Sequence, residues 1–493
     1  MSNPPYDADA RPPATRLSLV IAAAVALLLI ALSGRYGYHR DEFYFLTAGR
    51  HLAWGYPDQP PFVPVLARLM SAIDAHSVVV LRLPASLAGA GIVAMTAPIA
   101  RELGASRPAQ VLATAVMALA AIALAGGHLM GTTAFNLLAW AVLLWLVIRL
   151  LRTDDARLWL PIGLVAGIGL LDNTLVAFLA FGLAVGLVAV GPRRHFSSGW
   201  LWAGVVVAAA LWLPYLVWQA EHGWPQLAES RAIAAGRSGT SQPRWLVLPF
   251  QVLLVGPATA PVWIAGLVRL LRSPDLRWAR SLGVAYLAVA ALVVVTGGKG
   301  YYLGGFYPLL VGAGAEPALA WLRRRARPRV AVASFVVFSL PVVAIALPML
   351  PQRAFMSSGL VGLNWDLGEQ IGWQAYVREV AAAYRDAGSP AAIVTSNYGE
   401  AGAIDHYGRA YGLPHAYSGQ TGYWYWGPPP ASATSVLAVG FDHSEVTRYC
   451  NDALQVGRLD NHHDFNNAEQ HRPLWLCRLR ESWSTIWPQL KST

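Results

Sequence analysis

Residues 17–34 read Leu-Ser-Leu-Val-Ile-Ala-Ala-Ala-Val-Ala-Leu-Leu-Leu-Ile-Ala-Leu-Ser-Gly, with no charged side chain between Arg16 and Arg35. About 20 apolar residues in a helix cross a hydrocarbon core about 30 Å thick, so this run predicts a membrane helix. The pattern recurs along the chain. Stretches 83–100, 108–148, 158–192, 195–220, 245–268, 281–298, 300–315 and 330–352 contain no Asp, Glu, Lys or Arg except Asp172. Two of them, 108–148 and 158–192, are long enough for helical hairpins, the first turning near Gly126 to Gly131. Together they predict a polytopic α-helical membrane protein with about eleven spanning helices.

Composition agrees. Of 493 residues, 55% are hydrophobic and 13% charged, about half the roughly 25% charged residues of an ordinary soluble chain. Disorder and a single soluble domain are both excluded. Gly without a period and only two cysteines exclude collagen-like and disulfide-scaffold chains. The net charge of +10 would suit a nucleic-acid partner only if the basic residues shared one soluble face. They lie instead in short loops between apolar runs, so no nucleic-acid partner is expected.

Those loops set the orientation. Arg101 and Arg107, Arg149, Arg152 and Arg157, Arg193 and Arg194, Arg269, Arg272, Arg277 and Arg280, then Arg323, Arg324, Arg325, Arg327 and Arg329 occupy alternate connections. The opposite turns near Gly131 and Asn173 have no Arg or Lys. The positive-inside rule places the Arg-rich set in the cytoplasm, with the N-terminal tail 1–16 carrying Arg11 and Arg16. Eleven crossings then put the C-terminal segment outside, in a multi-pass plasma-membrane protein. Residues 17–34 also suit a cleaved signal peptide, but Arg35 to His39 is a poor cleavage site, which favours an uncleaved anchor.

The expected organisation is a transmembrane domain over 17–350 with an external loop 35–77, followed by an extracytoplasmic α/β domain over 351–493. In the latter, 369–387 has helical apolar spacing, 391–396, 435–441 and 473–479 read as strands, and 400–411 as a helix. Such alternation predicts a three-layer domain. Cys450 and Cys477 both fall there, and stand either as a disulfide, which an external compartment permits, or as two buried thiols.

Within the first external loop, Tyr38-His-Arg-Asp-Glu-Phe-Tyr44 places Asp41 and Glu42 at the start of an amphipathic helix. A carboxylate there can serve as a general base or hold a divalent cation. It reads equally as a helix start, with Asp41 as N-cap and Glu42 favouring the dipole. Residues 62–70 follow as a second amphipathic helix suited to the interface. Lys299 is conspicuous, because Lys491 is the only other lysine. Arg82, at the edge of a span, either snorkels or serves a function. Trp424 and Trp426 suit sugar stacking or a headgroup belt. His462-His463-Asp464 looks metal-like but lacks a third ligand at regular spacing, and reads as a solvated loop.

The first loop resembles that of the GT-C fold polyprenyl-phosphate-sugar-dependent glycosyltransferases of glycosyltransferase family 39, the protein mannosyltransferase and aminoarabinose transferase relatives. Asp41-Glu42, Gln59-Pro60-Pro61 and Arg82-Leu83-Pro84-Ala85-Ser86 match its ordered motifs. Gly167 to Asn173, Trp218 to Pro225, Lys299-Gly-Tyr-Tyr-Leu303 and Tyr307-Pro308 follow in weaker form. Asn397 to Glu400 and Tyr423 to Pro428 are similar to a prokaryotic branch with a soluble domain. Two positions depart: Gln59 and Asp172-Asn173 stand where lysines near the lipid phosphate are common.

The resemblance implies inverting transfer of a sugar from a polyprenyl-phosphate donor to an extracytoplasmic protein, lipid or glycan acceptor at the membrane. It implies Asp41 as general base with Glu42 orienting it or binding a divalent cation. Arg82, Lys299, Tyr301 and Tyr302 would contact the donor phosphate, and His39, Trp424 and Trp426 the sugar or acceptor. No resident cofactor is otherwise indicated. Two rivals stand beside it: a secondary transporter, against which the chain shows no related halves, and a non-catalytic binder of sugar lipids.

Overall fold

The structure is a computed structural model that describes residues 12–237, 242–325 and 327–492; Arg11 and the tail before it lie outside the described residues. The backbone divides into two units. The first takes described residues 12–33, 59–62 and 82–349, and the second 34–58, 63–81 and 350–492. Residues 34–58 and 63–81 thus group with the C-terminal segment 350–492.

Among the described residues, six helices are long and apolar enough to cross a membrane: Thr15–Leu32, Val78–Glu102, Thr132–Thr153, Gly199–Glu221, Pro274–Thr296 and Arg329–Ala346. Two bent pairs pass the same test, Arg107–Ala118 with Ala121–His128 at 55°, and Arg244–Val255 with Ala260–Arg272 at 114°. The chain is thus a multi-pass membrane protein. Length and composition give six to eight crossings among the described residues, short of the eleven expected. The hairpin in 158–192 consists of two shorter helices, Ala156–Leu170 and Leu175–Val190. The run 300–315 opens as a tight 3₁₀ segment, Gly300–Phe306, before the helix Tyr307–Arg323.

Stretch 245–268 is not one straight span. Gly256 has φ of +103°, a conformation that glycine adopts without strain, and Pro257 follows it with no N–H to continue the ladder. Thr259 Oγ1 donates to the carbonyls of Val255 and Gly256, both at 2.7 Å.

Small residues let these helices approach. A Cβ on Gly163 would collide with the backbone of Gly204, and one on Gly204 with the Trp159 carbonyl, so Trp159–Leu170 and Gly199–Glu221 meet backbone to backbone. Gly266 and Gly314 do the same for Ala260–Arg272 against Tyr307–Arg323. In lipid, close van der Waals packing of this kind drives association, because tails are as apolar as leucine. The unit's core is closed by Trp140, wholly buried, edge-on to Phe306 at 5.2 Å.

In the second unit the C-terminal residues build a five-stranded sheet of order β2-β1-β3-β5-β4. The strands are β1 Ala392–Thr395, β2 Ala416–Ser418, β3 Ser435–Val439, β4 Cys450–Arg458 and β5 Pro473–Leu479. β1 pairs in parallel with β2 and β3, and β5 runs antiparallel between β3 and β4. One face carries Val394, Val436, Ala438, Trp475 and Cys477 against Val446, Trp483, Ile486 and Trp487. Val439, on the other, shares a cavity lining with Trp373, Tyr376, Val377, Ala403 and Ile404 of helices Trp373–Asp386 and Tyr398–Tyr407. Alternation along the strands thus yields helix, sheet and helix layers. β2 and β4 have no apolar run that announces them: β2 is three residues long and β4 is largely exposed. The helix read at 369–387 begins only at Trp373, after Gly372 at φ +99°. Cys450 and Cys477 are bonded across β4 and β5, with Cα atoms 5.7 Å apart.

Candidate active site

Helix Arg40–Ala48 belongs to the second unit, and its start is built by its own sequence. The Asp41 N–H donates to His39 Nδ1 at 3.2 Å, and the His39 N–H donates to Glu42 Oε2 at 2.8 Å. This is a capping box with histidine as cap. Since Nδ1 accepts, the neutral ring carries its proton on Nε2; that atom is buried with no hydrogen-bond partner among the described residues. Glu42 is 0% exposed and closes the cap. Asp41 is therefore not the N-cap. Its side chain, 46% exposed, caps nothing at its own helix start.

What holds Asp41 comes from the C-terminal segment. Tyr398 Oη donates to Asp41 Oδ1 at 2.5 Å. Asp41 Oδ2 stands 3.8 Å from His39 Nδ1 and accepts no hydrogen bond among the described residues. Tyr398 is the first residue of helix Tyr398–Tyr407, which Asn397 and Glu400 cap in a second capping box. Its N–H donates to Gln420 Oε1 at 3.1 Å. The Arg40 guanidinium lies 4.9 Å above the phenol ring and pairs with Glu369 at 3.5 Å. Burial first, and the Asp41 charge second, push the Tyr398 phenol well above its ordinary pKa, so it remains a protonated donor. Phe43, wholly buried, packs against Gly402, where a side chain would not fit.

An aromatic group adjoins this pair. Tyr44 lies 5.4 Å from Tyr398, donates to Asp58 Oδ1 at 2.7 Å, and stacks on Trp426 at 6.1 Å. His51 stacks on the same Trp426 at 4.6 Å. Of the two expected sugar-stacking tryptophans, Trp426 therefore joins the Asp41 neighbourhood and Trp424 does not. Trp424 donates to the Trp487 carbonyl at 3.0 Å and lies under the Lys491 ammonium at 4.1 Å.

Buried carboxyl groups stand behind the site. Asn397 Nδ2 donates to Glu469 Oε1 at 3.2 Å, while Glu400 Oε2 accepts from Ser396 and Asn397. Burial, then the neighbouring Glu469, raises the Glu400 carboxyl well above its usual range. Burial also raises Glu369, with Arg40 opposing it. Beside Asp41, Glu42 Oε2 is taken by the cap and Asp41 Oδ1 by Tyr398. Among the described residues no group of three His, Cys, Asp or Glu side chains is placed to hold a metal. His462 pairs with Glu379 at 2.9 Å on an exposed loop.

The expected phosphate contacts belong to the first unit. Lys299 is half-buried at the start of Gly300–Phe306, with its ammonium 5.9 Å from the Tyr301 ring. Tyr301 and Tyr302 meet edge to face at 5.1 Å. Arg82 does not snorkel. It is 0% exposed, donates to the Ser33 carbonyl at 2.7 Å and lies 3.4 Å from His128 Nε2. Gln59 and Asp172 are buried, and the Phe62 N–H donates to the Leu171 carbonyl at 3.0 Å between their segments. Neither carboxyl oxygen of Asp172 has a hydrogen-bond partner among the described residues.

Comparison with known proteins bears on this arrangement. The dolichyl-phosphate-mannose-protein mannosyltransferase family matches residues 58–218. ArnT from Cupriavidus metallidurans bound to undecaprenyl phosphate superposes with a TM-score of 0.57 at 14% identity, covering 93% of this chain and 97% of that one. Its apo state gives 0.59 over the same shares, also at 14% identity. The chain has the GT-C fold. A fainter likeness is to the archaeal oligosaccharyltransferase AglB from Archaeoglobus fulgidus with an inhibitory peptide and a dolichol-phosphate. There the TM-score is 0.47 at 12% identity, over 86% of this chain and 69% of that one. No curated protein matches by sequence. The GT-C fold thus accounts for both the helical unit and the C-terminal sheet, since the ArnT likeness runs over nearly the whole of both chains.

The sequence does not single out Tyr398 within Asn397 to Glu400, nor Arg40 beside Asp41, nor Glu369 or the Tyr44–Asp58 pair. Asn397 and Glu400 do show a helix start with Tyr398 at its first position. Nothing local shows that this phenol reaches a carboxylate 357 residues earlier.

Proposed function

We propose that this chain is a membrane glycosyltransferase that moves a sugar from a polyprenyl-phosphate carrier to an extracytoplasmic hydroxyl acceptor, with inversion. The observation that carries the reading is Asp41. It is a half-exposed carboxylate on a helix otherwise nearly all buried, with one oxygen held and the other open, in a chain of GT-C fold. Asp41 takes the acceptor proton as the acceptor oxygen bonds to the anomeric carbon. The bond from that carbon to the phosphate oxygen breaks, and its electron pair leaves on the phosphate. Because phosphate departs as an anion, no general acid is needed, and cations near the leaving oxygen supply the stabilisation. Lys299 takes that part, with Tyr301 and Tyr302 as hydroxyl donors. Arg82 is engaged by Ser33 and His128 and ties its helix to the end of helix Thr15–Leu32. Trp426 is the acceptor-side contact of this reading, while His39 acts through the cap beside Asp41.

The orientation read from the arginine loops belongs to this proposal, with the N-terminus cytoplasmic and the C-terminal segment outside. ArnT bound to undecaprenyl phosphate and the match to a dolichyl-phosphate-mannose family support the donor class. The test is incubation of purified protein with radiolabelled polyprenyl-phosphate sugars and membrane extract. Label on a protein, lipid or glycan is expected. Label that stays on the carrier with every donor would refute it.

A further inference from the structure

Asp41 and Tyr398 are joined by a single short bond between the first external loop and the C-terminal sheet segment, both within the second unit. The phenol is fixed from several sides. Its backbone N–H is taken by Gln420, and Asn397 before it is tied through its own side chain to Glu469. Its ring lies against Tyr44 and under Arg40. By contrast, Asp41 has no second side-chain hydrogen bond among the described residues, and its side chain is half open to solvent. Left alone, a carboxylate so exposed rotates freely about its terminal torsion, which is broad and roughly two-fold.

We propose that Tyr398 is the positioning residue of Asp41: it pins Oδ1 so that Oδ2 alone faces the acceptor hydroxyl. This deepens the transferase reading above and rests on it. The proton balance is unchanged by Tyr398, which keeps its own proton throughout. The acceptor O–H proton passes to Asp41 Oδ2, the new glycosidic bond forms, and the carrier phosphate leaves with the electron pair. Tyr398 touches neither substrate, so its effect falls on turnover rather than on affinity. The C-terminal segment thereby contributes to the chemistry itself rather than serving only as an appended module. Catalysis then requires that segment folded onto the first external loop.

A misplacement of about 1 Å can cost on the order of 10²-fold in rate. Tyr398→Phe keeps the ring under Arg40 and removes only the donor, so kcat should fall roughly 10- to 100-fold. The donor KM should stay within about twofold, as expected for loss of an interaction made only on the way to the transition state. Replacing Tyr398 with 4-aminophenylalanine, which returns a donor at the same place, should recover most of the loss. In the Asp41→Asn background Tyr398→Phe should have no further effect, because the group it positions is gone. All variants are assayed as full chain in nanodiscs, with folding followed by size-exclusion profile. If the unaltered protein transfers sugar and Tyr398→Phe matches it, the positioning role is wrong while the transferase reading stands. A loss of equal factor in the Asp41→Asn background, or a loss 4-aminophenylalanine does not restore, makes Tyr398 structural and overturns the proposal. If the unaltered protein transfers no sugar from any donor, both readings fall together.

Discussion

Asp41→Asn separates a base from a folding residue. Asn is nearly isosteric, and its Oδ1 still accepts from Tyr398. The cap of helix Arg40–Ala48 does not involve the Asp41 side chain, since His39 and Glu42 make it. What folding loses is the difference between a hydrogen bond to a charged group, about 1.5–3 kcal/mol, and a neutral one, about 0.5–1.5 kcal/mol. Half exposure trims that further, so stability should fall by roughly 1 kcal/mol. Catalysis should lose far more. A general base contributes about 10²–10⁴-fold, or roughly 3–5 kcal/mol of barrier. The assay is single-turnover transfer from a radiolabelled polyprenyl-phosphate sugar in nanodiscs, beside direct measurement of donor affinity. Expected are a kcat lowered by that factor and a donor Kd within about twofold. Near wild-type turnover would remove Asp41 as the base and leave it a surface carboxylate.

Lys299→Ala should weaken donor binding and turnover together, because phosphate is charged in the ground state as well as the transition state; unchanged affinity would contradict the assignment. Glu42→Gln keeps a carbonyl for the His39 N–H and should lie between wild type and Asp41→Asn in turnover, whereas Glu42→Ala should cost about 1 kcal/mol of stability by opening the cap. Thermal unfolding of the two variants distinguishes these outcomes. Non-reduced peptide mass spectrometry of protein from its native membrane should find Cys450 linked to Cys477, and two free thiols would refute the pairing. His406 packs among Tyr38, Phe43 and Tyr407. Burial, then the charges of His76 and Arg50, lower its pKa from 6.5 to about 4. The unfolded chain therefore binds a proton that the folded one refuses in this window, so stability is full above pH 6.5 and declines as pH falls toward 4. His406→Gln should flatten that decline in a thermal-shift series, and an equal slope would count against it.

Much of the fold was legible because bilayers impose a coarse rule on sequence. Charge-free runs marked where helices lie, and alternating short strands with helices marked the C-terminal layers. The rule fails where crossings are short or broken. Gly256-Pro257 bends a run that hydropathy reads as continuous, and 300–315 opens as a 3₁₀ turn. Strands β2 and β4 escaped because a three-residue strand and an exposed one bury too little to leave a period. At the candidate site, Asp41 and Glu42 were visible as neighbours, but their division of labour was not. It depends on His39 taking the cap, which composition alone does not predict for histidine. For Arg82 the choice between snorkelling and function stayed open, because sequence shows position along a helix but not what encloses it. Tyr398 lies within the Asn397 to Glu400 motif, but its partner left no signal, since a contact across 357 residues is a property of the assembled unit.

The most direct test follows one anomeric carbon. Purified protein in nanodiscs receives a polyprenyl-phosphate sugar of defined configuration, ¹³C-labelled at the anomeric position, with the acceptor fraction identified by radiolabelling. The account predicts a new glycosidic bond of opposite configuration, one free polyprenyl phosphate for each sugar moved, and product formed about 10²–10⁴-fold more slowly with Asp41→Asn. Retained configuration, or label that never leaves the lipid, would contradict it.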